Sequence, residues 1–255
     1  MANGSASRLS PTTRPRVYPA GRAVSLLGAC APELAGRRLT IEGRRVQTLR
    51  FGRLALLLAF VDQQAYAASE IERKRADPGW LAAEARILEQ AVERARASGA
   101  VVPMRLLTVF PHADSLEETA RELYPRWSRA LTRLGGKREC VVHVYVGPHA
   151  TASAEPYLLR VTQRASRSSR PPAIKAEPAV LEHAQRIWRD CAAASVANRR
   201  VQTAGRRGAL WSAAMLVPDS GVGALQAALE SSIEAGALLG VSAYLEAPRA
   251  PYSFV

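Results

Sequence analysis

Histidine is the side chain best suited to bind a metal or move a proton near neutral pH, and the 255-residue chain has four of them. His112, His143, His149 and His183 stand in four different contexts, and no HExxH, HxH or zinc-type His/Cys spacing occurs. His143 alternates with valines in an apolar run, so it faces either solvent or a satisfied position in the core. We therefore expect no metal site.

Other catalytic patterns are also missing from the sequence. Glu117, Glu118 and Glu122 lie at the start of a predicted helix, where negative charge offsets the helix dipole. No phosphate-binding GxxxxGK[ST] motif occurs, and Gly221-Val-Gly223 is too short for a dinucleotide fingerprint. The paired serines have no neighbouring base in a recognisable frame. We expect a protein that is not an enzyme and that binds no cofactor.

The cysteines and the hydropathy indicate the compartment. Cys30, Cys140 and Cys191 are odd in number, far apart and without a CxxC pair, so they are expected to be small buried groups in a reducing environment. The longest purely apolar run, residues 54–61, is too short to span a membrane, and no secretion signal is recognisable. We expect a cytoplasmic protein with no membrane partner.

The formal net charge is +13, and 32 of the 35 basic residues are arginine. An arginine bias beside abundant alanine is more typical of a GC-rich genome than of a particular ligand. The basic excess is concentrated near the N-terminus and in residues 156–176, and it favours acidic partners by long-range attraction. Aromatic residues that could stack on bases are not interleaved with these arginines, which disfavours nucleic acid.

Hydrophobic periodicity predicts an α+β fold with two domains. Residues 1–20 are rich in Pro, Ser, Thr and Arg and are predicted to be a disordered basic tail. Residues 21–136 form the predicted N-terminal α+β domain, with three strands before a helix at 80–98. A strand at 101–110, which Pro103 suggests is an edge strand or begins after that proline, and a long amphipathic helix ending at Gly135 complete it.

The β/α pattern starts again after the double glycine. Residues 137–255 show the order β, α, β, β, α, β, which is the order of ferredoxin-like folds. This predicts a C-terminal ferredoxin-like domain with a strand pair around Gly205. An arginine-, serine- and proline-rich stretch near 150–176 is predicted to be flexible.

Four segments carry motifs that occur together in one known family. Residues 101–110 (VVPMRLLTVF) match the pattern lPlRfGTvF, and residues 135–146 (GGKRECVVHVYV) match l.gkvEwgVkvy after a helix. Residues 211–217 (WSAAMLV) stand at the position of lnaAfLV, and the final PYSFV resembles the end of GPWPPYsFv. In these motifs, and in their order over roughly residues 24–255, the chain resembles the gas vesicle protein family GvpL/GvpF.

The resemblance transfers a set of residues whose expected role is packing or partner binding. They are Pro103, Arg105, Thr108, Phe110, Tyr145, Leu216, Val217, Pro251, Tyr252 and Phe254. The chain departs from the motifs at Leu106-Leu107, which replace Phe-Gly, and at Arg249, which replaces a tryptophan. We expect that replacement to remove an apolar anchor and to add a charge.

The resemblance implies a non-enzymatic accessory or minor structural protein of gas vesicle assembly, located at the gas vesicle or in the cytoplasm. Its implied partners are the vesicle shell protein and other accessory proteins. Since the shell protein of such vesicles is short and very apolar, a binder with an exposed strand edge or an apolar groove is physically reasonable. The alternative is a basic ferredoxin-like nucleic-acid-binding protein, for which a steep salt dependence would be diagnostic.

Overall fold

The computed structural model describes residues 19–146, 176–201 and 209–255. These residues form two separate antiparallel sheets with helices packed on them. The predicted flexible stretch near 150–176 lies almost entirely outside the described residues, as does the predicted basic tail up to residue 18. The predicted turn at Gly205 also lies outside them.

The first sheet is built from strands of the N-terminal half, in the spatial order β2-β3-β4-β1-β5, with β6 also paired to β1. Its strands are β1 (Arg22–Cys30), β2 (Arg38–Ile41), β3 (Arg44–Phe51), β4 (Leu54–Asp62), β5 (Val101–Pro103) and β6 (Val109–Phe110). The β2-β3 hairpin turns at Glu42 and Gly43, which both have positive φ, as its turn residues predict.

Three helices belong to the same half: α1 (Ala68–Lys74), α2 (Pro78–Arg96) and α3 (Ala113–Leu134). α2 begins at a side-chain cap, since Asp77 accepts hydrogen bonds from the amides of Gly79 and Trp80. α2 and α3 cover opposite faces of the sheet, and each has its own apolar cluster. The central strands β1 and β4 are buried on both faces, which explains why they are apolar throughout instead of alternating.

The segment 101–110 is not one strand, and that prediction is wrong. β5 ends at Pro103 and β6 begins at Val109, with a loop between them in which Leu107 has φ +64°. The Thr108 amide and hydroxyl both bond to the Arg105 carbonyl, which closes the loop. A left-handed residue cannot continue a strand, so the chain leaves the sheet here and returns two residues later.

The second sheet is built from strands of the C-terminal half, in the spatial order β10-β7-β9-β8. These strands are β7 (Lys137–Val146), β8 (Ala197–Val201), β9 (Ala209–Pro218) and β10 (Val241–Leu245). Two helices, α4 (Pro178–Ala193) and α5 (Val222–Glu234), pack with one face of this sheet around an apolar cluster that includes Cys140, Ile187, Met215 and Leu225.

The opposite face of the second sheet meets the first half of the molecule. Leu216 of β9 belongs to the same apolar cluster as Trp127 and Leu134 of α3, whereas its neighbour Val217 points into the cluster under α4 and α5. This division follows from the alternation of side chains along a strand. The carboxylate of Asp219 adds a polar contact between the halves, since it lies 3.4 Å from Arg96 of α2 and 2.7 Å from Arg138 of β7.

Candidate functional site

The C-terminal segment, residues 246–255, joins the two halves. It continues from β10 along β7, where the Glu246 amide donates to the Val141 carbonyl and Arg249 exchanges two backbone hydrogen bonds with Glu139. It then reaches the first half, where the Ala250 amide donates to Glu93 of α2 at 2.6 Å. The backbone of the segment is therefore fastened both to β7 of the second sheet and to α2 of the first half.

Glu139 of β7 is the polar centre of this attachment. Its side chain is fully buried, and it accepts hydrogen bonds from Nε and Nη2 of Arg249, both at 3.2 Å. It also accepts from the Ser253 amide at 2.6 Å and from the Ser253 hydroxyl at 3.0 Å. One buried carboxylate thus holds two residues of the C-terminal segment. Burying a carboxylate is costly unless hydrogen-bond donors surround it, and these two residues supply the donors.

The polar contacts continue from Arg249 into the second sheet. Arg249 Nη1 lies 2.5 Å from Glu246, and the other oxygen of Glu246 lies 2.9 Å from Nε2 of His143. Nδ1 of His143 lies 2.6 Å from the hydroxyl of Ser212 on β9. The result is a continuous chain of hydrogen bonds from Ser253 to Ser212, which we call the buried polar chain.

The two carboxylates of this chain have opposite pKa shifts. Burial raises the pKa of Glu139 above its usual value, and the Arg249 charge and the Ser253 donors only partly offset it. Burial also acts to raise the pKa of Glu246, but there the hydrogen bond with His143 and the Arg249 guanidinium outweigh it and hold the pKa well below its usual range.

Ser212, His143 and Glu246 have the hydrogen-bond order of a hydrolase triad. Such a triad also needs a serine that a substrate can reach and amide donors for the oxyanion. Ser212 lies in the middle of β9, paired to both β7 and β8, and it is 1% exposed. The geometry therefore fits a satisfied core histidine, one of the two environments predicted for His143.

The spacing of Tyr252 and Phe254 predicts an extended chain end on which the two rings point the same way, and that prediction is wrong. Residues Tyr252–Phe254 form a single 3-10 turn. Tyr252 packs against the cluster of the first sheet and α2, whereas Phe254 packs against the cluster of α3 and Leu216. Burial raises the pKa of Tyr252, with a further contribution from the charges of Glu89 and Glu93. The two rings anchor the chain end to separate cores, and Pro251 before them is buried.

The other residues transferred from the motifs lie in three places. Pro103 is buried at the end of β5, and Arg105 is exposed in the loop after it. Thr108 and Phe110 lie where the chain rejoins β1. Tyr145 is buried near the end of β7, away from Leu216 and Val217 at the other end of the sheet. The structure thus brings Phe110, Leu216 and Phe254 into one apolar cluster and Tyr252 into another, and it does not bring the whole set together.

Sequence reasoning missed Glu139 and misread Arg249. Arg249 is turned inward between two carboxylates and is 12% exposed in its side chain, so it supplies an ionic anchor where an added surface charge was expected. Two features of the sequence could have pointed to Glu139. It is a charged residue in an apolar strand, and the family pattern has a glutamate at the same position. His143, Ser212 and Glu246 come from three different strands, so no local spacing could have linked them.

The cysteines are inert core residues, as predicted. All three are buried, and burial raises the pKa of the Cys30 thiol to about 12, that of Cys140 to about 11 and that of Cys191 to about 12.

Among the described residues no cluster of three His, Cys, Asp or Glu side chains has the geometry for a metal ion. In the same residues no helix is both long and apolar enough to cross a membrane.

Two antiparallel sheets with helices, joined by a C-terminal segment, define the chain as a mixed α/β protein, and comparison with known proteins identifies the family. The model of the family "Gas vesicle synthesis protein GvpL/GvpF" matches residues 26–255. The chain belongs to this family.

Solved structures show the same fold. The crystal structure of the gas vesicle protein GvpF from Anabaena sp. PCC7120 is similar with a TM-score of 0.63 and 14% identity, over 91% of this chain and 95% of that one. GvpF from Microcystis aeruginosa is similar with a TM-score of 0.56 and 16% identity, over 92% of this chain and 98% of that one. No curated protein matches the chain in sequence.

Proposed function

We propose that this chain is a non-enzymatic accessory or minor structural protein of gas vesicle assembly, which acts through contacts with the vesicle shell protein and other accessory proteins. The observation that carries the proposal is the family match over residues 26–255. The fold agrees with it, because the likeness to the two GvpF structures extends over more than nine-tenths of the chain.

The architecture suits a binding protein. We propose that residues 21–136 and 137–255 are two domains and that the second is ferredoxin-like. The spatial order β10-β7-β9-β8 and the sequence order β, α, β, β, α, β support this assignment. With residues 246–255 fastened to both halves, the two domains would present one continuous surface to a partner instead of moving independently.

The absence of enzymatic activity is part of the proposal, and Ser212 provides its sharpest test. A serine activated by His143 would react with a fluorophosphonate probe. We expect no labelling of the native protein, because Ser212 is buried within β9. Labelling that disappears in Ser212→Ala would instead indicate a hydrolase.

Deleting the gene from its host tests the assembly role. We expect the deletion strain to form fewer or misshapen vesicles in electron micrographs, and the wild-type gene to restore them. Normal vesicles in the deletion strain would overturn the proposal. If the purified protein then bound generic RNA with a steep salt dependence, the nucleic-acid alternative would replace it.

A further inference from the structure

The outermost strand of the second sheet, as far as the structure describes it, is β8. β8 pairs with β9 on one side, and no other strand within the described residues pairs with its outer side. Asn198, Arg199 and Arg200 on this strand are exposed, and Val196 just before it is 56% exposed. Such an edge offers a row of backbone donors and acceptors to an added strand.

Arginines from both halves meet beside this edge. Nη1 of Arg199 donates to the Ser253 carbonyl at 2.7 Å, and Nη2 of Arg133 of α3 donates to the carbonyl of Phe254. Because these carbonyls belong to consecutive residues, Arg133 and Arg199 lie close together across the C-terminal segment. Arg126 and Arg129 precede Arg133 by seven and four positions, so all three share one exposed face of α3.

These four arginines have no acidic partners among the described residues, whereas several other arginines do. Arg96 and Arg138 share Asp219, Arg121 pairs with Glu117, and Arg44 binds Glu84 through both of its terminal nitrogens. The carboxylate nearest in sequence to Arg126 is Glu122, one turn earlier on α3, and it forms no ion pair with it. In the described part of the chain, Arg126, Arg129, Arg133 and Arg199 therefore form a basic patch without ion pairs, next to the outer edge of β8.

We propose that this patch and the outer edge of β8 together bind an acidic, extended segment of another polypeptide, which adds to the sheet as a strand. The inference rests on the proposed function only in taking the partner to be a protein of the vesicle. Backbone hydrogen bonds to β8 supply affinity, and carboxylates on the added strand pair with the arginines. The opposite charges favour an acidic partner over a neutral one.

A second copy of the chain is a poor occupant of the same edge. Antiparallel pairing of β8 with itself centred on Arg199 would set this residue against its own copy and Arg200 against Asn198, so like charges would crowd together. Nucleic acid is also disfavoured, because Trp188 already carries the Arg200 guanidinium on its ring at 4.9 Å and Trp127 is buried.

The test uses a short rhodamine-labelled peptide of alternating Glu and Val, with its alternating Lys and Val counterpart as the charge control. Binding to the full chain is followed by fluorescence anisotropy. We expect the acidic peptide alone to bind, and the double variant Arg129→Gln/Arg199→Gln to bind it about tenfold more weakly. Arg50→Gln should leave the affinity unchanged, because it removes from β3 of the other sheet an exposed arginine that has no ion pair with any described residue.

An acidic peptide with alternate amides N-methylated tests strand addition separately from charge. It keeps the carboxylates but loses backbone donors, so we expect much weaker binding. Equal binding of the methylated peptide, equal binding by the double variant, or preference for the basic peptide would overturn the inference. Binding of an RNA oligonucleotide in place of the peptide, or self-association through β8, would also overturn it. Any of these results leaves the vesicle role standing, because that role is tested by gene deletion.

Discussion

Glu139 and Arg249 are 110 positions apart in the sequence, yet Nε and Nη2 of Arg249 both lie 3.2 Å from the same buried carboxylate oxygen. This contact fixes the C-terminal segment against β7 at the place where the two halves meet. A buried charge pair contributes little net stability relative to an apolar pair. Removing one partner, however, leaves the other charge buried and unpaired, which is strongly destabilising. The C-terminal attachment is therefore sensitive to any change in either partner.

Removing Arg249 alone should be strongly destabilising. Arg249→Gln leaves Glu139 buried without its cation and removes a partner from Glu246, so we expect the free energy of unfolding to fall by about 3–5 kcal/mol. The double variant Glu139→Gln/Arg249→Gln should recover part of this loss, because no uncompensated charge remains at position 139. Urea unfolding of the four proteins in the cycle measures both effects. A loss within about 0.5 kcal/mol for Arg249→Gln would show that the contact is not formed in solution.

The two carboxylates should give opposite pH dependences of stability. The folded pKa of Glu246 lies below its unfolded value of about 4.3, so its stabilising effect is present above that pH and is lost as the pH falls. The folded pKa of Glu139 is raised, so its contribution weakens as the pH rises above about 4.3. The stability difference between wild type and Glu246→Gln should therefore shrink toward acid pH, whereas that for Glu139→Gln should grow. Parallel trends in thermal melts across this range would contradict the assignment.

Leu107 should prefer replacement by glycine over alanine. Its φ of +64° is strained for a residue with a Cβ, and glycine is the residue at this position of the family motif. Both changes lose the contact of Leu107 with the first core, but only glycine relieves the strain. We expect Leu107→Gly to be more stable than Leu107→Ala by about 1 kcal/mol. At the neighbouring exposed Arg105, which lacks a positive φ, alanine should be the more stable of the two. If the same replacement, glycine or alanine, were the more stable one at both positions, this would mean that the loop relaxes around the substituted residue.

Tyr252 and Phe254 should contribute independently to stability. Each ring is half-buried against a different cluster, so each alanine variant should lose about 1–3 kcal/mol, less than the roughly 3–5 kcal/mol of a fully buried aromatic. The double variant should lose the sum, because the rings share no cluster. Chemical unfolding of the single and double variants tests this. A double loss that differs from the sum by more than about 1 kcal/mol would mean that the two rings pack on each other.

Much of the fold followed from local pattern. The helix periodicity of α2, the Glu42-Gly43 turn and the restart of the β/α order after Gly136 each have a short-range physical cause, and the structure contains all three. The break at Leu107 could not be predicted, because residues 101–110 have the composition of a strand. Only the positive φ of Leu107 shows the turn.

The candidate site could be predicted only in part. The tail motif drew attention to Tyr252 and Phe254, but their separation into two cores depends on the 3-10 turn and on contacts with distant helices. The buried polar chain joins residues up to 114 positions apart, such as Glu139 and Ser253. Pairings over that distance come from sheet topology, which periodicity does not specify.

Direct binding to the vesicle shell protein is the closest test of the proposed assembly role. The purified full chain would be immobilised and exposed to freshly prepared shell protein, with Arg249→Gln as a variant in which the C-terminal attachment is broken. We expect saturable binding by wild type and weaker binding by the variant under conditions in which both remain folded. Failure of folded wild type to bind the shell protein or any other vesicle protein would contradict the proposed assembly role.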